Sequence, residues 1–212
     1  MKTDITSRGV ITTAHGEGVQ IGGVPFENAA FVNRWEDWHG EPHEGTGPDA
    51  LTYEAYRDTG FYMKFFRHNQ RDVLFTVFQM SHTWDVGSSV RPHMHVIPMS
   101  SGSGAVIFNY SYAWAAVGDQ FPPATGWTSG SMSASWTPAD QYCHKVMNFG
   151  TITASTSSAE STMLVFKCER QSDSYTTGKD HGTAAANLAM LDIDLHYQRM
   201  QAGSINEWGD NS

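Results

Sequence analysis

Between residues 61 and 200 the apolar and aromatic side chains fall in short runs, several of them alternating at every second position, and no stretch shows helical spacing for more than about two turns. Seven such runs, at 61–66, 73–80, 90–98, 105–115, 142–151, 162–170 and 188–200, are separated by clusters of Gly, Ser, Asn, Asp and Pro. Parallel strands need a crossover of a dozen or more residues, usually a helix, and no such helix is readable between these runs. The pattern therefore predicts an all-β fold: an antiparallel β-sandwich of the jelly-roll type with about eight strands, one of them from the N-terminal segment. Along 105–115, Val106, Phe108, Tyr110, Tyr112 and Trp114 share one face and should fill the core. Along 188–200, Ala189, Leu191, Ile193, Leu195 and Tyr197 share one face, while Asp192, Asp194 and His196 share the other. A short helical turn is expected over 51–57, with Asp49 as its N-cap. The Pro-, Gly- and Ser-rich segment 121–140 reads as a long loop or a decorated hairpin.

Residues 1–50 lack sustained periodicity and are punctuated by Gly and Pro, so they read as an extended N-terminal arm. Residues 51–200 are then the sandwich, and 201–212 a C-terminal tail. The arm carries Val19, Ile21, Phe26, Phe31, Trp35 and Trp38, apolar side chains that need a surface to lie on. That surface is either the arm's own domain or a neighbouring subunit, which makes these six residues the candidate interaction arm.

Composition removes several partners. Thirteen basic side chains against 22 acidic ones give a net charge of −9, which repels a phosphate backbone and an anionic membrane alike. No apolar run approaches the roughly 18 residues of a membrane span, and the first residues carry no secretory pattern, so synthesis in the cytoplasm is expected. Cys143 and Cys168 sit in strand-like segments without metal-finger spacing and read as reduced core or near-core thiols.

The sharpest local motif is Arg91-Pro92-His93-Met94-His95, in which His93 and His95 fall on one face of a strand, about 7 Å apart. Two imidazoles so placed can grip one cation. Asp194 and His196 on the last strand would complete a cluster of His93, His95, Asp194 and His196 suited to a divalent metal such as zinc or iron. The alternative is a polar outer face held by His–Asp hydrogen bonds, with no cofactor at all. Other templates are incomplete. Ser100-Ser101-Gly102-Ser103-Gly104 lacks the glycine of a nucleophile elbow, and Gly16-Glu17-Gly18 has Ile21 where a dinucleotide loop needs glycine. Glu36, Asp37, Glu41 and Glu44 with His39 and His43 read as a solvated loop anchored by Trp35 and Trp38.

Gly87, five residues, then His93-Met94-His95 resembles the first half of the cupin motif. Met99 and Ser100 stand where that motif has its Glu, and no second half follows. A wider resemblance runs through residues 61–197. It is carried by Leu74-Phe75-Thr76-Val77-Phe78-Gln79-Met80 with Ser81-His82, by Arg91-Pro92-His93-Met94-His95-Val96-Ile97-Pro98, and by Tyr110-Ser111-Tyr112-Ala113-Trp114 with Phe121-Pro122. Phe149-Gly150-Thr151-Ile152 and Leu191-Asp192-Ile193-Asp194-Leu195-His196-Tyr197 complete it. This ordered set resembles virion structural proteins of tailed bacteriophages. The resemblance implies a non-enzymatic virion component, most simply a capsid decoration or cement protein: a homotrimer that binds the major capsid protein or other virion subunits, with tail, collar or fibre roles as the alternative. Two further readings stand beside it. One is a cupin-like metal enzyme using His93, His95 and His196. The other is a carbohydrate-binding module using Trp127, Trp136 and Tyr142 as stacking platforms.

Overall fold

The computed structural model describes residues 34–45, 50–67, 71–155, 161–171 and 187–199, together with the backbone of 19–21 and 24–26. Its strands are β1 (Val19–Ile21), β2 (Val24–Phe26), β3 (Arg34–His39), β4 (Glu41–Glu44), β5 (Thr52–Ala55), β6 (Tyr62–Phe66) and β7 (Val73–Gln79). They continue with β8 (Arg91–Pro98), β9 (Gly104–Ala115), β10 (Thr128–Trp136), β11 (Lys145–Asn148), β12 (Met163–Arg170) and β13 (Leu188–Arg199). β1 and β2 form a hairpin of their own. The rest make a five-stranded sheet in the order β10-β9-β12-β7-β4 and a six-stranded one in the order β11-β8-β13-β6-β5, with β3 also on β13. Every pairing is antiparallel. The fold is thus the expected all-β sandwich, with eleven strands in its two sheets where about eight were expected.

The core between the sheets is aromatic. Val106 and Phe108 are fully buried and Tyr110, Tyr112 and Trp114 pack against the same cluster, as their alternation required. Phe108 meets Phe66 edge-on at 5.0 Å, and Phe149 meets Phe166 at 5.1 Å, the offset and edge geometries that ring quadrupoles favour. On β13, by contrast, the faces differ from the simple alternation. Leu188 and Met190 point into the core, Ile193, Leu195 and Tyr197 do likewise, and Leu191 is exposed. A bulge between Met190 and Asp192 adds one residue and reverses the phase, so Ala189 and Leu191 lie on the opposite face, Ala189 buried there in a second apolar cluster with Met63, Phe65 and Ile97 and Leu191 exposed.

Three additions account for the extra strands. The predicted helical turn at 51–57 is strand β5 followed by one 3-10 turn at Tyr56–Asp58, because Thr52 and Tyr53 pair with Phe65 and Lys64. The positive φ of Arg57 and Asp58 then turns the chain back into β6. The second is β10, inside the presumed loop, paired along its full length with β9. The third concerns the arm: residues 34–44, placed there by sequence, supply two strands of the sandwich instead of one. Trp35 and Trp38 therefore sit in a sheet of their own domain, whose first described strand precedes residue 51. Val19, Ile21 and Phe26 belong to the β1–β2 hairpin, while Phe31 and the 201–212 tail lie outside the described residues. Cys168 is buried, and burial pushes its thiol far above the usual range; Cys143 is an exposed free thiol in a turn, not a core residue.

The chain passes from one sheet to the other at Gly40, between β3 and β4, where its N–H donates to the Ile193 carbonyl at 3.1 Å. A Cβ here would lie 2.1 Å from Thr76 Cγ2 and 2.5 Å from Phe78 Cε1, inside both van der Waals surfaces. Gly40→Ala should therefore destabilise the protein by about 1–3 kcal/mol or more through overpacking, read as a lowered urea midpoint. An unchanged midpoint would mean that β3 and β4 do not cross there.

Candidate functional site

The outer face of the six-stranded sheet carries the sequence's histidines where its strands come together. β8 and β13 are neighbours, with Asp194 opposite His93 and Asp192 opposite His95. On the other side of β13, β3 sets His39 opposite Asp194 and Asp37 opposite His196. Opposed residues of an antiparallel pair project to the same face, so His39, His93 and His95 converge on Asp194.

Asp194 is buried, and its Oδ2 lies 3.1 Å from His95 Nε2 and 3.5 Å from His93 Nε2. Its Oδ1 lies 2.7 Å from His39 Nδ1, a close charge contact, while the same ring nitrogen makes an aligned hydrogen bond to Asp192 Oδ2 at 2.8 Å. His95 Nδ1 is 2.6 Å from His144 Nε2 and the two rings stack at 4.8 Å. His196 pairs with Asp37 through Nε2, and its ring stands 4.2 Å from that of His93. The four residues singled out by sequence, His93, His95, Asp194 and His196, are thus brought together, with His196 at the cluster's margin.

The charges divide the imidazoles. Asp194, and with it Asp192, raises the pKa of His39 above the ordinary imidazole range. Burial, followed by the neighbouring His196, lowers that of His93, although Asp194 pulls the other way. Among the described residues, three groups have ligand atoms within 4.8 Å of one another: His93, His95 and Asp194; Asp37, His93 and His196; and His39, Asp192 and Asp194. These are the residues that can hold a cation. Sequence reading missed His39, Asp37 and His144 as members. Asp37 and His39 read as part of a solvated loop, because Trp35 and Trp38 stand three positions apart and give β3 no period-two apolar signal. His144 lies outside its neighbouring strand, and nothing local marks it.

The outer face of the five-stranded sheet is different. An open groove of about 510 Å³ runs over it, lined by Asn109, Ser111, Ser129, Ser131, Lys167 and Glu169 among others. Glu169 accepts from Arg71 Nε at 2.9 Å and from Lys167 Nζ at 3.2 Å; burial opposes its ionisation, but these two cations outweigh it and lower its pKa. Beside Lys167 stands Phe75, met edge-on by Trp127 at 6.4 Å. Of the three proposed stacking residues, only Trp127 borders this face. Trp136 is buried in the core, and Tyr142 lies under the Arg57 guanidinium at 4.1 Å. They form no common platform.

In sequence, no family model and no curated protein matches the chain. Among solved structures, it overlaps the CBM22-1–GH10 modules of Clostridium thermocellum xylanase 10B, complexed with xylohexaose. Identity there is 8%, TM-score 0.37, and 81% of this chain but 27% of that one is covered. The CBM22-2 xylan-binding domain of Paenibacillus barcinonensis Xyn10C gives 10% identity, TM-score 0.36 and coverage of 80% and 95%. TmCBM61 in complex with β-1,4-galactotriose gives 11%, 0.33 and coverage of 80% and 92%. Overlaps this slight carry no argument about ligand, and the sandwich stands on its own strand pairing. Among the described residues no helix is long and apolar enough to cross a membrane.

The separation of Trp136 from Tyr142 has a measurable consequence. Trp136→Ala should cost about 3–5 kcal/mol by emptying a core site, whereas Tyr142→Ala should change stability by less than about 1 kcal/mol. Equal and small effects in chemical denaturation would return Trp136 to the surface.

Proposed function

We propose that the protein is a non-enzymatic structural component of a tailed-bacteriophage particle, of the head decoration or cement kind. In this reading it assembles as a trimer and adheres to the major capsid protein or a neighbouring virion subunit. The observation that carries it is the β5–β6 hairpin, where Tyr53, Phe61 and Tyr62 are exposed to 65%, 59% and 53%. Tyr53 and Tyr62 stack on each other at 5.7 Å on an edge of the six-stranded sheet. Exposed aromatic side chains beside a strand edge that is unpaired among the described residues favour association with another protein surface. The net charge of −9 argues against nucleic acid as that partner. The choice of a phage particle as the assembly rests on the ordered resemblance of residues 61–197 to phage virion proteins. Mass photometry of the pure chain, and co-sedimentation with empty heads of the particle that encodes it, test this reading. Trimers and head binding are expected, with binding lost when Tyr53, Phe61 and Tyr62 are all changed to Ser. A monomer that ignores heads would contradict it.

A second reading, a glycan-binding module, is favoured by one specific observation: the groove on the five-stranded sheet. Its Ser hydroxyls and the Asn109 amide offer donors and acceptors to a neutral sugar's hydroxyls, and Trp127 on Phe75 offers an apolar edge nearby. Affinity electrophoresis in soluble neutral polysaccharides should retard the wild-type chain more than Trp127→Ala or Asn109→Ala if this reading holds. Equal mobilities across all three would reject it.

A further inference from the structure

We propose that His93 Nε2, His95 Nε2 and Asp194 Oδ2 form a binding site for one divalent first-row transition ion of the zinc class. Zinc bonds to imidazole nitrogen and carboxylate oxygen are about 2.0–2.2 Å, so two ligands of one tetrahedral ion stand about 3.3–3.5 Å apart. Asp194 Oδ2 is 3.1 Å from His95 Nε2 and 3.5 Å from His93 Nε2, which brackets that edge. The 3.5 Å separation is too long for a normal hydrogen bond and right for two ligands sharing an ion. All three ligand atoms lie within 4.8 Å of one another.

The site is held before any ion arrives. Its ligands come from two hydrogen-bonded strands, and the side chains of His93 and Asp194 are only 7% and 6% exposed. That of His95 is 21% exposed and leaves a path from solvent. Both flanking ligands have outer partners: His144 meets the far nitrogen of His95 at 2.6 Å, and His39 meets the far oxygen of Asp194 at 2.7 Å. Such outer contacts fix the tautomer and orientation of metal ligands. Two imidazoles and one carboxylate suit zinc, and also cobalt, nickel or iron in the divalent state, better than calcium or magnesium, which prefer all-oxygen sites. His196 stands beside the site, its ring 4.2 Å from that of His93 and its Nε2 paired with Asp37.

The test uses the tag-free full-length chain after chelator treatment, titrated with Co(II) in the visible spectrum and with Zn(II) by calorimetry. Expected are one ion per chain, the intense absorption of four-coordinate Co(II), displacement of Co(II) by Zn(II), and a higher melting temperature with Zn(II) present. His95→Ala and Asp194→Asn should each weaken binding about 100-fold or more, and His144→Ala about tenfold. His43→Ala, on β4 in the other sheet, should bind like wild type. Circular dichroism establishes that each variant is folded, and His95→Ala, at a partly exposed position, is the variant that keeps the test decisive if Asp194→Asn unfolds. Absence of the Co(II) spectrum, or stoichiometric binding that survives both ligand variants, would overturn the proposal.

Discussion

Strand β13 is the member on which both the six-stranded sheet and the His–Asp cluster depend. It pairs with β8 on one side, and on the other with β6 over its first residues and β3 over its last. Its bulge decides what faces outward. Leu188 and Met190 begin in the core, and an unbroken period of two would carry Asp192, Asp194 and His196 in after them. One extra residue reverses the phase, so Ile193, Leu195 and Tyr197 fill the core instead and the acids meet the histidines of β8 and β3. Burying an unpaired carboxylate in an aromatic core would cost several kcal/mol; the bulge avoids that cost.

β3 closes the arrangement from the other side. Its Glu36 carboxylate accepts from the Tyr197 hydroxyl at 2.9 Å and pairs with Arg199, while Trp38 meets the Tyr197 ring edge-on at 6.4 Å. Arg91 of β8 lies over the Trp35 ring at 4.6 Å. These contacts tie a segment that composition marks as an arm to the middle of the sheet. They also bring His39 to Asp194, 2.7 Å from its Oδ1.

How far the sequence could be read follows from what each residue must do locally. The aromatic face of β9 and the pairing of His93 with His95 are legible because their alternation is unbroken and one face is plainly apolar. The approach of Asp194 to His93 is legible too, since both lie on strongly periodic strands. β10 is hidden because its outward residues are Ser129, Ser131, Ser133 and Ser135 and its inward ones include Gly130 and Ala134, so the contrast between faces is faint. The inward position 130 takes glycine because Tyr110 occupies the space a Cβ would need. β3 and β4 are hidden by the Gly40 crossing, which breaks a single run into two four- to six-residue strands on different sheets. The bulge in β13 leaves no sequence mark, because either phase buries a plausible set of apolar residues until the neighbouring strands are known.

β13 is a shared interior strand whose outward residues are fixed by pairing on both sides. Amide hydrogen exchange along residues 194–197 measures this directly. If β8 and β3 flank that stretch, its amides exchange only through global unfolding, as slowly as those of Phe108 and Phe166 in the core strands. Exchange as fast as in the exposed turn at Ala116–Asp119 would contradict the claim.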